Sequence, residues 1–228
     1  METDYRVQGF DLTNGHPDGR FNVTYDSAIG IYGGASAIIG ETAGGSVHPL
    51  AYLGDLGFAK QMANGMNWDV GLSDAQLAVY LPATRPAPGA TVYSPGATVL
   101  QAYTHRYDLD YAEVYGGVST THLSAHLYIS PDYLGQDLRT AYLDLDSAIR
   151  PLEHLRLFGH FGFLAPLGGA SEIAGAHQGR LDASAGAAWE ALWGELKVTF
   201  SATTPRLPYP PGYDQHREAI GVSLTHFF

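Results

Sequence analysis

A chain of 228 residues with 15% charged side chains, 28 glycines and 15 tyrosines is poor in charge beside the roughly 25% of an ordinary soluble domain. Its formal net charge of −11 argues against a nucleic-acid partner, because phosphate binding rests on Lys and Arg, and the absence of cysteine excludes disulfides, thiolate chemistry and Cys-ligated zinc. Mean hydropathy is −0.08 and no run approaches the ~18 apolar residues of a spanning helix, which excludes a helical membrane protein but suits a barrel that is apolar outside and polar inside.

Met1-Glu2-Thr3-Asp4 has neither a basic segment nor an apolar core, so the expectation is a mature chain with an added initiator Met. Residues 2–10 alternate as a first strand, with Tyr5, Val7 and Gly9 on one face and Asp4, Arg6 and Gln8 on the other. After a loop at 11–19, Phe21, Val23 and Tyr25 oppose Asn22, Thr24 and Asp26 in a second strand. A third runs from Ile31 to Ile39. The fourth, 49–61, sets Tyr52, Leu56 and Phe58 against Asp55, Gly57 and Gln61, and Asn64-Gly65 is a hairpin turn. The fifth opens with Trp68, Val70 and Leu72 opposite Asp69. Its apolar phase slips around Asp74, which predicts a bulge.

Residues 81–108, with four prolines, form the longest connection and are predicted as a long external loop, of which Thr98–Tyr107 could extend as a hairpin arm. Further strands follow: Tyr111–Thr120 with Glu113 and Tyr115 on one face, Leu123–Ile129 with His126 opposite the leucines, and 141–146 with Asp144 and Asp146. Leu155–Phe163 carries Arg156 and His160 away from its apolar face. Leu181–Trp189 sets Asp182 against the alanines, and Leu196–Ala202 sets Lys197 against Val198 and Phe200. The last strand, Arg217 to Phe228, presents Ile220, Val222, Leu224, His226 and Phe228 on one face and small or polar residues on the other.

The connections sort into two alternating classes. Those at 27–30, 62–66, 120–122, 150–153 and 191–194 are tight; those at 11–19, 40–48, 81–108, 131–138, 166–178 and 204–215 are longer. An even-stranded barrel with short turns on one rim and long loops on the other has this pattern. Strands of about 9–13 residues are long enough to cross a bilayer at a tilt. The expectation is an all-β, antiparallel up-and-down transmembrane β-barrel of about twelve strands, a single domain over residues 1–228. The final strand would close it against residues 2–10, with Arg217 at the external end, and would hand the chain to the barrel-assembly machinery. Phe228, Leu224, Val222 and Ile220 would face lipid, with the aromatic terminus in the interfacial girdle.

The opposite faces would then line the interior, because an ionisable group is costly in hydrocarbon. That set is Asp4, Arg6, Asp26, Asp55, Asp69, Glu113, Tyr115, His126, Asp144, Asp146, Arg156, His160, Asp182, Lys197 and Arg217, joined by Glu190 and Glu195 near the ends. Carboxylates outnumber cations there, and carboxylate rings favour cations over anions. No cofactor or metal is expected. His122 and His126 are ~13 Å apart along a strand, and His160 has no visible third ligand, so polar filling accounts for them better.

Several fragments together resemble one family: Asp4-Tyr5-Arg6-Val7-Gln8-Gly9-Phe10, Tyr111-Ala112-Glu113-Val114-Tyr115-Gly116-Gly117-Val118-Ser119, and Tyr128-Ile129-Ser130-Pro131-Asp132-Tyr133-Leu134-Gly135. They are similar to the TorF-family porins of Gram-negative outer membranes, in which such an opening, strand and loop recur in this order. Two departures are Gln8, where the family often has a second basic residue, and the length of 81–108. The resemblance implies an outer-membrane barrel with a pore role and carries over no catalytic residues. The function expected is passive diffusion of small polar or cationic solutes, not an enzyme. The alternatives are a barrel phospholipase, a plugged structural barrel and a soluble lipocalin-like binder.

Overall fold

The computed structural model describes residues 6–8, 10–13, 16–41, 46–86, 100–169, 178–204 and 217–226. Its strands are β1 (Arg6–Val7), β2 (Phe10–Asp11), β3 (Asp18–Asp26), β4 (Ile31–Glu41), β5 (Val47–Gln61), β6 (Asn67–Pro86), β7 (Leu100–Asp108), β8 (Tyr111–Ser119), β9 (Leu123–Ser130), β10 (Leu138–Leu152), β11 (Leu155–Gly169), β12 (Arg180–Ala191), β13 (Gly194–Thr203) and β14 (Glu218–His226). The order of the main sheet is β14-β13-β12-β11-β10-β9-β8-β6-β5-β4-β3, every pair antiparallel. The molecule is therefore an all-β, up-and-down antiparallel sheet. Among the described residues no helix is long and apolar enough to cross a membrane, which says nothing of crossing by strands.

Strict alternation of large apolar with small or polar side chains produces this sheet, since each strand can satisfy one apolar surface only by pointing every second residue to it. The sign of the alternation is inverted from a soluble protein. Val198, Phe200, Leu196, Ile220, Val222 and Leu224 are exposed on the outer face, while the inner face carries the tyrosines, carboxylates and small residues. The tight turns follow local chemistry. Gly65, at φ +84°, donates to the Met62 carbonyl at 3.0 Å and reverses the chain from β5 into β6, the hairpin expected of Asn64-Gly65.

Three expectations are corrected. First, residues 81–108 are not one loop. β6 runs on to Pro86 and pairs with β7 in the register it already keeps with β8: Ala75 pairs with Tyr111, and three residues on, Ala78 pairs with Asp108. The backbone hydrogen bond from Leu109 to Leu77 carries the ladder across the gap. β7 and β8 are thus one long return strand with a break at Leu109-Asp110; Pro82 and Pro86 belong to β6, and Pro88 and Pro95 lie outside the described residues.

Second, there is no bulge at Asp74. The β5–β6 and β6–β8 registers pass it unshifted, and the shifts lie instead at Ile38/Ile39, Arg139/Thr140 and Ile149/Leu152. The apolar phase changes because the environment changes. Up to Leu72 the outer residues are apolar; at Asp74 and Gln76 they are polar and exposed, while Ala75, Leu77 and Val79 turn inward and are buried. The strand reverses which of its faces is apolar without changing its pairing.

Third, among the described residues the first strand does not pair with the last. Of residues 2–10, Arg6-Val7 pairs with Phe10-Asp11 in a two-stranded hairpin separate from the main sheet, and residues 1–5 lie outside the described set. Among the described residues, the outer edges of β3 and β14 have no strand partner. The two edge strands nevertheless come round to one space, because Arg20 of β3 and Gly221 of β14 line the same cavity.

Several connections are also shorter than expected. β10 and β11 extend to Leu152 and from Leu155, leaving Glu153-His154 as the turn, and β11 runs on to Gly169.

Candidate functional site

Register places the inner residues in rows across the sheet. One row reads Tyr32, Gly57, Gly71, Tyr115, Tyr128, Tyr142, Leu164 and Arg180, from β4 to β12. The adjacent row reads Asp69, Gly117, His126, Asp144, Gly162, Asp182 and Thr203. A tyrosine row thus lies against an aspartate–histidine row. Glycines make room for it: a Cβ on Gly71 would stand 2.5 Å from the Tyr115 ring, and Gly57 admits Tyr32 in the same way.

The two rows are joined by hydrogen bonds. Tyr32 donates to Asp69 Oδ2 at 2.8 Å, so the 2.6 Å contact between Tyr32 and Tyr115 is a donation from Tyr115. His126 Nε2 lies 3.1 Å from Asp69 Oδ1. Tyr115, Tyr128 and Tyr142 then continue as ring contacts, with centroids 5.2 Å and 6.3 Å apart.

At the far end, His160 gathers three carboxylates. Its Nδ1 is 3.0 Å from Asp146 and 3.3 Å from Asp144, and its Nε2 is 2.9 Å from Asp182, to which Tyr142 also donates at 3.1 Å. Three anions around one imidazole leave the group acidic. Ligand atoms of Asp144, Asp146 and His160 lie within 4.8 Å of one another. Ser184 pairs with His160 in the register, yet both ring nitrogens face carboxylates, so neither is placed to take a proton from that hydroxyl.

Toward the tight-turn rim, Arg156 bridges Glu190 at 3.1 Å and Glu195, with its guanidinium 5.5 Å from the Phe158 ring centroid. Lys197 Nζ approaches the same ring at 6.0 Å. Toward the long-loop rim the interior turns apolar. Leu12, Leu77, Val79, Leu109, Tyr133 and Leu134 are buried together in one cluster. The 3-10 turn Tyr133–Gly135 tucks into it, with Leu134 at φ +58°. Arg180, fully buried, donates to the Tyr133 hydroxyl at 3.1 Å and to the Gln8 carbonyl. Burial pushes the Tyr133 phenol above its ordinary range, with Arg180 pulling the other way.

Between these layers lies a cavity of about 390 Å³. Asp144, Asp146, His160 and Asp182 line it from β10, β11 and β12; Lys197, Arg20 and Arg6 line it from β13, β3 and the N-terminal hairpin.

Of the residues expected in the interior, Asp69, Tyr115, His126, Asp144, Asp146, His160 and Asp182 are brought into the two rows or their cluster, and Arg156 and Lys197 sit nearer the tight turns. Glu113 is buried and accepts from Gln8. Asp55 lies over Gly34, Asp26 is exposed at the end of β3, and Arg217 is exposed beside the start of β14. Ile220, Val222 and Leu224 are exposed on the outer face; Asp4 and Phe228 lie outside the described residues. Arg180 and Tyr142 were not among the residues expected to line the interior, and Gln8 was marked only as a departure from the resembled family. Arg180 shares the face of Asp182, which is the one signal that could have found it.

No protein-family model matches the chain, and no curated protein matches it.

Proposed function

We propose that this chain is a Gram-negative outer-membrane β-barrel channel, porin-like and of the TorF-family type, for ion transport and passive diffusion of small polar or cationic solutes. The observation that carries the reading is the inverted pattern of the two faces. Large aliphatic and aromatic side chains cover the outside from β3 to β14, where water alone would be a poor neighbour, and ionisable groups occupy the inside. Lipid is the partner that an apolar band of this extent fits, and β14 is the strand offered to the barrel-assembly machinery.

Cation preference follows from the interior charges. The chain carries 23 acidic side chains against 12 lysines and arginines, and although Arg6, Arg20 and Lys197 face Asp144, Asp146 and Asp182 across the cavity, carboxylates exposed to a narrow aqueous path lower the energy of a passing cation. An enzymatic reading has less support, because the imidazole beside Ser184, that of His160, is held by carboxylates on both sides.

The test is single-channel conductance of the refolded chain in a planar bilayer under a salt gradient. A reversal potential on the cation side is the expected result; anion selectivity would refute the charge argument. A chain that stays monomeric without detergent, and runs identically on a gel boiled or unboiled, would sink the membrane reading itself.

A further inference from the structure

The central cavity of about 390 Å³ has a neighbour in the interior. A second cavity, of about 370 Å³, is bounded by the turn residues Thr120, Thr121 and His122 and so belongs to the tight-turn rim. Three charged or bulky side chains bound both: Asp146 on β10, Phe158 on β11 and Lys197 on β13. They stand where one cavity gives way to the other.

Phe158 departs from the pattern of its strand. Leu157, Phe161 and Phe163 are exposed on the outer face of β11, whereas Phe158 lies on the inner face with Arg156 and His160. Its ring lies over Gly186 of β12, where a Cβ would stand 2.5 Å from it. The Arg156 guanidinium is 5.5 Å from the ring centroid and the Lys197 ammonium 6.0 Å, so two cations fix where the ring lies. Asp146 turns one oxygen to His160 at 3.0 Å while its side chain stays 52% exposed. Its carboxylate is therefore held in place and still meets water.

We propose that Asp146, Phe158 and Lys197 form the selectivity-determining neck of the channel, through which the cavity at the tight-turn rim opens onto the central one. The proposal rests on the channel reading above. A carboxylate and an ammonium bound the same opening, so they shift the energy of a passing ion in opposite directions, and the ring sets the width left to it.

The test reads single-channel conductance and reversal potential under a salt gradient, with folding of each chain confirmed by heat-modifiable migration. Asp146→Asn lowers the cation-over-anion permeability ratio by about fivefold and Lys197→Met raises it by a similar factor, the scale of one unit charge a few ångströms from an ion in water. Phe158→Ala raises conductance; Gly186→Val, which drives the ring off its glycine, lowers it. Asp74→Asn, on the exposed outer face of β6, changes neither reading. The absence of native cysteine supplies a measurement that does not depend on how a charge variant folds. Lys197→Cys, folded first and then modified by a thiol reagent carrying a sulfonate, gains cation preference and loses conductance.

Unchanged reversal potentials in Asp146→Asn, Lys197→Met and the modified Lys197→Cys chain, beside a conducting parent, overturn the neck while the channel reading stands. An equal shift from Asp74→Asn also overturns it, because selectivity would then belong to the charge of the whole chain. Silence of the folded parent chain overturns the channel reading and the neck with it.

Discussion

Gln8 and Glu113 stand 105 positions apart in sequence, yet the Gln8 amide nitrogen lies 3.0 Å from each oxygen of the Glu113 carboxylate. The carboxylate is 5% exposed, so the pair joins the N-terminal hairpin to a group that water barely reaches. Gln8→Ala therefore removes a charge-assisted bond and is expected to cost about 1.5–3 kcal/mol in urea unfolding from detergent micelles. Glu113→Gln, which keeps the shape and one acceptor, should cost less. Equal losses from both would show that the contact is not the dominant one.

The fit of Tyr115 over Gly71 leads to a contrast between two glycines. Gly71→Val drives a side chain into the Tyr115 ring and should destabilise by about 1–3 kcal/mol or more, with the tyrosine row displaced. Gly65→Ala meets nothing within 4 Å but must hold φ +84°, so its cost should stay near 1 kcal/mol. Midpoints of thermal unfolding, read by loss of the fast-migrating form on gels, compare the two.

The outer face is tested by Val198, which is 46% exposed on β13. If lipid covers it, Val198→Arg costs about 2–4 kcal/mol near the bilayer midplane. A water-covered face would tolerate the change almost without effect. Equilibrium folding into vesicles, measured by tryptophan fluorescence, separates these outcomes.

His160 is the hub of Asp144, Asp146 and Asp182, three carboxylates that share its two ring nitrogens. His160→Gln leaves three neighbouring carboxylates around a neutral amide and should cost about 1–3 kcal/mol, partly screened because the cluster opens onto the cavity. Adding Asp182→Asn should recover part of that loss. A double-mutant cycle with no coupling would show that the three anions do not act as a unit.

A good deal of this was legible in the chain. Strand alternation and the sorting of short from long connections are local properties, because a side chain's face is set by its position parity and a turn by its own residues. Asn64-Gly65 and the outward row of Ile220, Val222 and Leu224 follow from that alone. The change of apolar phase at Asp74 was visible too, but its meaning was not: a bulge and a change of surroundings give the same pattern until the register is known. Which inner residues meet depends on the register between strands, and parity does not contain it. Thus the Tyr32–Asp69–Tyr115 contact and the carboxylates around His160 came only from tertiary structure.

The N-terminal segment marks the boundary most clearly. Residues 2–10 have the pattern of a strand, and the sequence by itself determined no more than that they could pair in extended form. The fold places Arg6, Val7 and Gln8 inside, because Glu113 and Arg180, from opposite parts of the chain, converge on one turn. Alternation says which face of a segment is polar. Only the assembled walls decide whether that polar face lines the interior or fills it.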